Sequence, residues 1–258
     1  MRHGTLTILG SGTSQGVPII ACNCDACLSA DPKDKRLRSS ALLELENETL
    51  LIDAGPDFRT QLLRQGVQKL DAILLTHEHK DHIAGLDDVR AFNYKQKKPM
   101  PIYCQPGVEN ALKKEFHYAF EARPYPGAPQ FEIHHLTKSA FQINQTTIQP
   151  IEVFHHQLSV LGFRIGKIAY ITDAKTVLPE ECEKLHDLDI LIINCLHEHP
   201  HRSHFNLEEA LAFHQRIQPK HTYLTHISHL FGKHQAINER LPNDVSLCFD
   251  GLQLDFSY

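Results

Sequence analysis

The sequence predicts a layered α/β architecture, and three observations carry that prediction. Short runs rich in Ile, Leu and Val recur along the whole chain. Stretches of helical periodicity lie between them. No low-complexity or linker-like segment interrupts the alternation. With 258 residues, 41% of them hydrophobic, the chain is long enough to bury a core of ordinary size, so one domain over residues 1–258 is expected.

Taken in order, strands are expected at 5–9, 41–45, 49–52, 72–76, 102–104, 147–153, 160–165, 168–172, 190–194, 221–225 and 245–249, each bounded by turn residues. The segment from Leu43 to Leu50 reads as a hairpin turning near Asn47 and Glu48. Helices are expected at 57–65, where Gly66 supplies a stop, and at 107–117, 180–186, 207–217 and 234–241. The helix at 207–217 is the most fully signalled: Asn206 stands at the N-cap, Glu209 at the third helical position, and Pro219 just past the end. Residues 99–144 show the weakest periodicity and read as an insertion that lines a pocket.

The net charge of −5 argues against a broad nucleic-acid-binding face, because phosphate backbones attract basic surfaces. Apolar runs such as 168–171 and 190–193 are strand-length, well short of the roughly 20 residues that span a bilayer. The start, Met1-Arg2-His3-Gly4-Thr5-Leu6-Thr7, lacks the apolar core of a secretory signal and reads as a first strand. A cytoplasmic protein without membrane contact is therefore expected.

Histidine is abundant, at 19 residues, which directs attention to clusters. His77-Glu78-His79-Lys80-Asp81-His82 follows the apolar run 72–76 and precedes Ile83-Ala84-Gly85-Leu86, which reads as a helix start. The cluster thus falls at the C-terminal end of a strand, where α/β folds place their sites. A lone histidine is usually a satisfied core or surface group. Three histidines and an aspartate in six residues are not explained that way. From an extended turn, His77 and His79 can face one ion, and Asp81 and His82 a second. The seven cysteines are an odd number for a disulfide framework, and Cys22, Cys24 and Cys27 crowd together, which reads as metal binding before disulfide bonding. Cys104, Cys182, Cys195 and Cys248 lie on or near apolar segments and read as core thiols.

The H-x-H-x-D-H pattern of His77, His79, Asp81 and His82 resembles the signature of the metallo-β-lactamase superfamily. Other segments match its motifs in order: Asp53-Ala54-Gly55, His155, Asp173 and His226, each after an expected strand. His156 is a neighbour of the same type, but His155 stands three residues before Leu158, as in similar sequences. The resemblance implies a four-layer αββα sandwich and two catalytic divalent metals, zinc or manganese. One would be held by His77, His79 and His155, the other by Asp81, His82 and His226, with Asp173 between them. Two such ions about 3.5–4 Å apart activate water and clamp an in-line displacement.

Three segments narrow the resemblance: Gly10-Ser11-Gly12-Thr13-Ser14-Gln15-Gly16-Val17-Pro18, which runs into the cysteines; His204-Phe205-Asn206-Leu207; and Leu224-Thr225-His226-Ile227-Ser228-His229. Together they are similar to the phosphoribosyl 1,2-cyclic phosphate phosphodiesterases of the carbon–phosphorus lyase pathway. That similarity implies a structural zinc on Cys22, Cys24, Cys27 and His229, a closed site of three thiolates and an imidazole. It implies that His204 is a general acid, that the partner is a small phosphodiester substrate, and that the protein is a homodimer. The three-residue spacing of His226 and His229 would couple the two metal sites mechanically. His197, His199 and His201 share the stretch of His204 and read as a solvated loop. The loop at Ser11-Gly12-Thr13-Ser14 reads either as a phosphate contact or as a plain tight turn. The alternatives are a tRNA 3′-processing endonuclease or cyclic-nucleotide phosphodiesterase of the same fold, and a non-catalytic metal-binding protein.

Overall fold

The computed structural model describes residues 2–258. Its strands are β1 (His3–Gly10), β2 (Ser40–Glu44), β3 (Thr49–Ile52), β4 (Ala72–Leu74), β5 (Met100–Cys104), β6 (Phe131–His135), β7 (Phe141–Ile143), β8 (Thr146–His155), β9 (Leu158–Ile165), β10 (Ile168–Ile171), β11 (Thr176–Val177), β12 (Ile190–Asn194), β13 (His221–Thr225), β14 (Val245–Leu247) and β15 (Gln253–Ser257). The helices are α1 (Asp25–Leu28), α2 (Phe58–Gln65), α3 (Lys80–Ile83), α4 (Arg90–Gln96), α5 (Pro106–Glu115), α6 (Pro179–Cys182), α7 (Leu207–Ile217) and α8 (His234–Asn238).

The strands form two sheets. The first runs β15-β1-β2-β3-β4-β5-β6; the second runs β11-β8-β9-β10-β12-β13-β14, with β7 also paired to β8. Each sheet starts as an antiparallel meander and becomes parallel: β3, β4, β5 and β6 in the first, β10, β12, β13 and β14 in the second. Helices fill the crossovers between the parallel strands, as such connections require.

The side chains sort into three cores, and these define four layers. Leu50 and Ile52 of β3 meet Tyr170 of β10 and Ile192 of β12 between the sheets. Leu51 of the same β3 faces Phe58 and Leu62 of α2 and Leu112 of α5. Ala169 and Ile171 of β10 face Phe213 and Ile217 of α7. Central strands therefore bury both faces, which is why they read as unbroken apolar runs. The expected αββα sandwich is what forms.

One stretch is more regular than its sequence suggests, and one helix start is shifted. Residues 99–144 hold β5, α5, β6 and β7, and the first two strands extend the first sheet. The longest irregular stretch lies between α5 and β6 and includes a short 3-10 turn at His117–Ala119, and a shorter one separates β6 from β7. The helix near 83–86 instead begins inside the histidine cluster at Lys80 and ends at Ile83. Gly85 then passes so close to Gly55 that a Cβ would lie 2.0 Å from the Gly55 carbonyl oxygen.

Candidate metal centre

Parallel strands of both sheets end at one edge of the sandwich, and their C-terminal loops carry the site. His77, His79, Asp81 and His82 follow β4; Asp173 follows β10; His226 follows β13; and His155 ends β8. Asp53, Asp173 and His226 each sit just past a strand in the left-handed region, at φ 61°, 57° and 57°. Non-glycine residues adopt that conformation at a cost, and such strain concentrates at functional sites. Gly55 permits the close packing beneath, since a Cβ there would lie 1.9 Å from the Asp81 carbonyl oxygen.

The imidazole rings gather around one carboxylate, and His77 lies nearest His82, at 4.2 Å between ring centroids. His77 lies 4.6 Å from His79 and 6.0 Å from His155 between ring centroids, and His79 lies 5.1 Å from His155. His82 is stacked with His226 at 6.1 Å. Asp173 stands among them: its Oδ2 is 3.3 Å from His82 Nε2, and its Oδ1 is 3.4 Å from His226 Nε2 and 2.9 Å from His204 Nε2. Asp81 Oδ2 lies 3.2 Å from His82 Nε2. The tightest sets with metal-binding geometry are His77, His82 and Asp173, and His155, Asp173 and His204.

Hydrogen bonds behind the rings fix which nitrogen faces the site. His82 Nδ1–H donates to Asp53 Oδ2 at 2.6 Å. Thr76 Oγ1 donates to Asp53, so it accepts from His77 Nδ1 at 2.9 Å. Ser39 Oγ donates to the Gly12 carbonyl and accepts from His226 Nδ1 at 3.0 Å. His155 Nδ1 donates to the Ser203 carbonyl at 2.8 Å. Each of these four rings then turns its Nε2 to the site, the nitrogen left to ligate a metal. The Nε2 atoms of His77 and His82 are buried without a hydrogen-bond partner among the described residues. Buried polar atoms are rarely left so, and a cation would satisfy both. The residues present therefore fit a metal centre.

Electrostatics agree with a site built for positive charge. Burial opposes charge on His82, yet Asp53 and Asp173 outweigh it and hold its pKa well above the usual histidine range. Burial would raise Asp173, but His226 and His82 keep it well below the carboxylate range. Burial dominates at His226 and pushes it down to about 4.

His204 differs from the four anchored rings. Its Nε2 faces the Asp173 carboxylate, which accepts, so that nitrogen carries a proton. Its ring is stacked on His226 at 4.9 Å and meets His155 edge-on at 4.5 Å. The neighbouring loop is not solvated throughout, as the sequence reading had it: His197 is buried, and His201 packs on His204. His156, the alternative to His155, is exposed in the turn after β8. The backbone amides of Ser11, Gly12 and Thr13 bond to Asp250, Leu37 and Ile227. These three amides are thus consumed inside the fold, and the Gly16 amide closes a turn on the Thr13 carbonyl.

The second cluster lies beside the first. Cys22, Cys24, Cys27 and His229 each offer a ligand atom, all within 4.8 Å of one another. His229 Nδ1 is 3.2 Å from Cys22 Sγ and 3.3 Å from Cys24 Sγ. All seven cysteines are free thiols, and Cys104, Cys182, Cys195 and Cys248 are buried as expected. The Cys27 backbone amide, then His229, draw Cys24 down to about 6, whereas burial pushes Cys27 up to about 11.

Sequence reading missed the residues behind the rings: Ser39, Thr76, Thr172 and Ser203. Thr172 Oγ1 donates to Asp173 Oδ2 at 2.6 Å. One signal was present, since Thr76-His77, Thr172-Asp173 and Thr225-His226 repeat a threonine before a site residue. Ser39 and the Ser203 carbonyl carried none.

Comparison with known proteins agrees with this geometry. Residues 48–227 match the model of the β-lactamase superfamily domain. A crystal structure described as a new diphosphatase from the PhnP family is 40% identical, with a TM-score of 0.93, over 99% of this chain and 98% of that one. The zinc-bound PqqB of Methylobacterium extorquens has a TM-score of 0.79 at 20% identity, over 98% of this chain and 100% of that one, a likeness of fold. The octanoyltransferase of Porphyromonas gingivalis is 39% identical over 251 residues, which is 95% of this chain and 50% of that protein. The chain thus spans about half the length of this curated relative. Fold and site geometry agree with the family match. The chain belongs to the β-lactamase superfamily.

Proposed function

We propose that this protein hydrolyses a small phosphodiester, of the kind represented by phosphoribosyl 1,2-cyclic phosphate, at a dinuclear centre of zinc or manganese. The observation that carries the reading is the convergence of four imidazoles, each anchored through Nδ1, on the single carboxylate of Asp173. His77, His79 and His155 would hold one ion, and Asp81, His82 and His226 the other, with Asp173 shared. Nitrogen and oxygen donors of this kind suit zinc and manganese. When bound, such ions supply Lewis-acid activation of water and neutralise charge on phosphoryl oxygens. Asp53, Thr76 and Ser39 keep the rings oriented. His204 offers its Nε2 proton to the departing sugar oxygen, which would otherwise leave as an alkoxide. The likeness to a diphosphatase supports chemistry at phosphorus. Cys22, Cys24, Cys27 and His229 would hold a structural zinc.

The test pairs metal analysis with two assays. About three metal ions per chain are expected, from two ions in the catalytic site and one on the cysteines. Hydrolysis of bis-p-nitrophenyl phosphate should be lost in His77→Ala. Opening of phosphoribosyl 1,2-cyclic phosphate should fall about 10²-fold or more in His204→Ala with metal content unchanged. A fully metallated protein that hydrolyses neither compound would overturn the reading.

A further inference from the structure

We propose that His201 is a positioning residue for His204: its Nδ1 accepts the hydrogen bond that holds the His204 ring with Nε2 turned to the site. The inference rests on the reading of His204 as proton donor and deepens it.

The two Nδ1 atoms lie 3.1 Å apart, so one must carry hydrogen and the other a lone pair. The backbone settles which is which. The Ser203 amide points at His201 Nδ1 at 3.4 Å, and an amide only donates. His201 Nδ1 is therefore the acceptor, and His204 Nδ1 is the donor. Ser203 Oγ joins the same contact, 3.2 Å from His204 Nδ1 and 3.4 Å from His201 Nδ1.

The bond matters because stacking alone leaves a two-fold choice. His226 and His155 fix the plane of the His204 ring. A half-turn about χ2 keeps that plane but exchanges Nδ1 with Cδ2 and Nε2 with Cε1, and this torsion has broad, nearly equivalent wells. In the flipped ring a carbon would face Asp173, and no proton could be delivered. An acceptor at His201 favours the productive orientation. His201 belongs to neither tight metal-binding set of the catalytic cluster, so its place beside His204 is not explained by ligation.

In the step concerned, water adds to phosphorus and the P–O bond to the leaving group breaks. The electron pair stays on the departing oxygen, which takes the Nε2 proton. The proton released by the attacking water later restores His204.

The experiment is a leaving-group series on the metallated enzyme: methyl phosphodiesters of p-nitrophenol, p-chlorophenol and phenol. Phenol needs protonation far more than p-nitrophenol does. His201→Ala is expected to lower kcat about 10- to 100-fold on the phenyl ester, part of what a general acid supplies, and under about threefold on the p-nitrophenyl ester. His201→Gln, which keeps an acceptor, should restore much of the loss. In a His204→Ala background, His201→Ala should cost nothing further. Side-chain ¹H–¹⁵N spectra should show His201 unprotonated at Nδ1. An equal loss on all three esters, or a proton on His201 Nδ1, overturns the proposal. Full activity of His201→Ala beside a leaving-group-dependent loss in His204→Ala overturns it and leaves the acid reading standing. If His204→Ala itself shows no leaving-group dependence, the acid reading falls and takes this one with it.

Discussion

At the scale of the residue, the chemistry of the site is set by atoms that do not face it. Asp53 is wholly buried and spends its carboxylate on His82 and Thr76, and Thr76 in turn holds His77. One side chain thereby orients two imidazoles of the cluster, His82 directly and His77 through Thr76. Removing such a support usually weakens metal affinity about 10- to 100-fold. Asp53→Ala is expected to do so here, read as metal retained after dialysis against graded chelator. Retention equal to that of the wild type would show that His77 and His82 hold their orientation without it. The ring cluster was legible in the sequence because its four residues crowd into six positions after an apolar strand. Its supports were not, because Ser39 lies 187 residues from His226 and a serine alone signals nothing.

At the scale of the element, the helix α7 shows how far local rules reach. Asn206 Oδ1 accepts from the Glu209 amide, and the Glu209 side chain accepts from the Asn206 amide, a full capping box. The cap anchors the chain two residues after His204. Asn206→Ala is expected to cost about 1 kcal/mol, measured by chemical denaturation at constant metal content. No change in the denaturation midpoint would mean that packing of Phe213 and Ile217 alone fixes the helix. The bounds of α7 were readable because cap, apolar stripe and stop all lie within it or directly beside it in sequence. Strands β3, β10 and β12 were readable because both faces are buried. Edge strands were harder: in β15 only Leu254 and Phe256 are buried, and in β6 the apolar residues are half exposed. Tyr103 stacks on His134 at 4.6 Å and on Phe141 at 5.3 Å, which are contacts between strands that no local pattern encodes.

At the scale of the whole molecule, the two clusters are joined by one short piece of chain. After β13, His226 packs into the histidine–aspartate cluster and His229 into the cysteine cluster. Between them, Ile227 exchanges backbone bonds with Ser11 and Thr13, and the Ser228 amide bonds to Leu196. The loop before the cysteines and the loop before His204 are thus both tied to this segment. If the cysteine cluster holds zinc, Cys24→Ser should lose about one metal per chain, lower Tm and speed amide exchange at residues 226–229. A variant that keeps its stability while losing that metal would show the two clusters to be independent. Among the described residues no helix is long and apolar enough to cross a membrane.

By itself the sequence determined the alternation of strands and helices and the residue types gathered at the strand ends, while the sandwich was an expectation drawn from the family resemblance. The first two follow from burial on both strand faces and from ligand spacing, and both are local properties. Tertiary structure decided which nitrogen of each ring faces the centre, which of His155 and His156 is used, and that His201 rather than solvent meets His204. Those choices depend on hydrogen bonds between residues brought together only by folding. Even the His201–His204 pair, three residues apart, takes its meaning from Asp173, which follows β10 far away in the sequence.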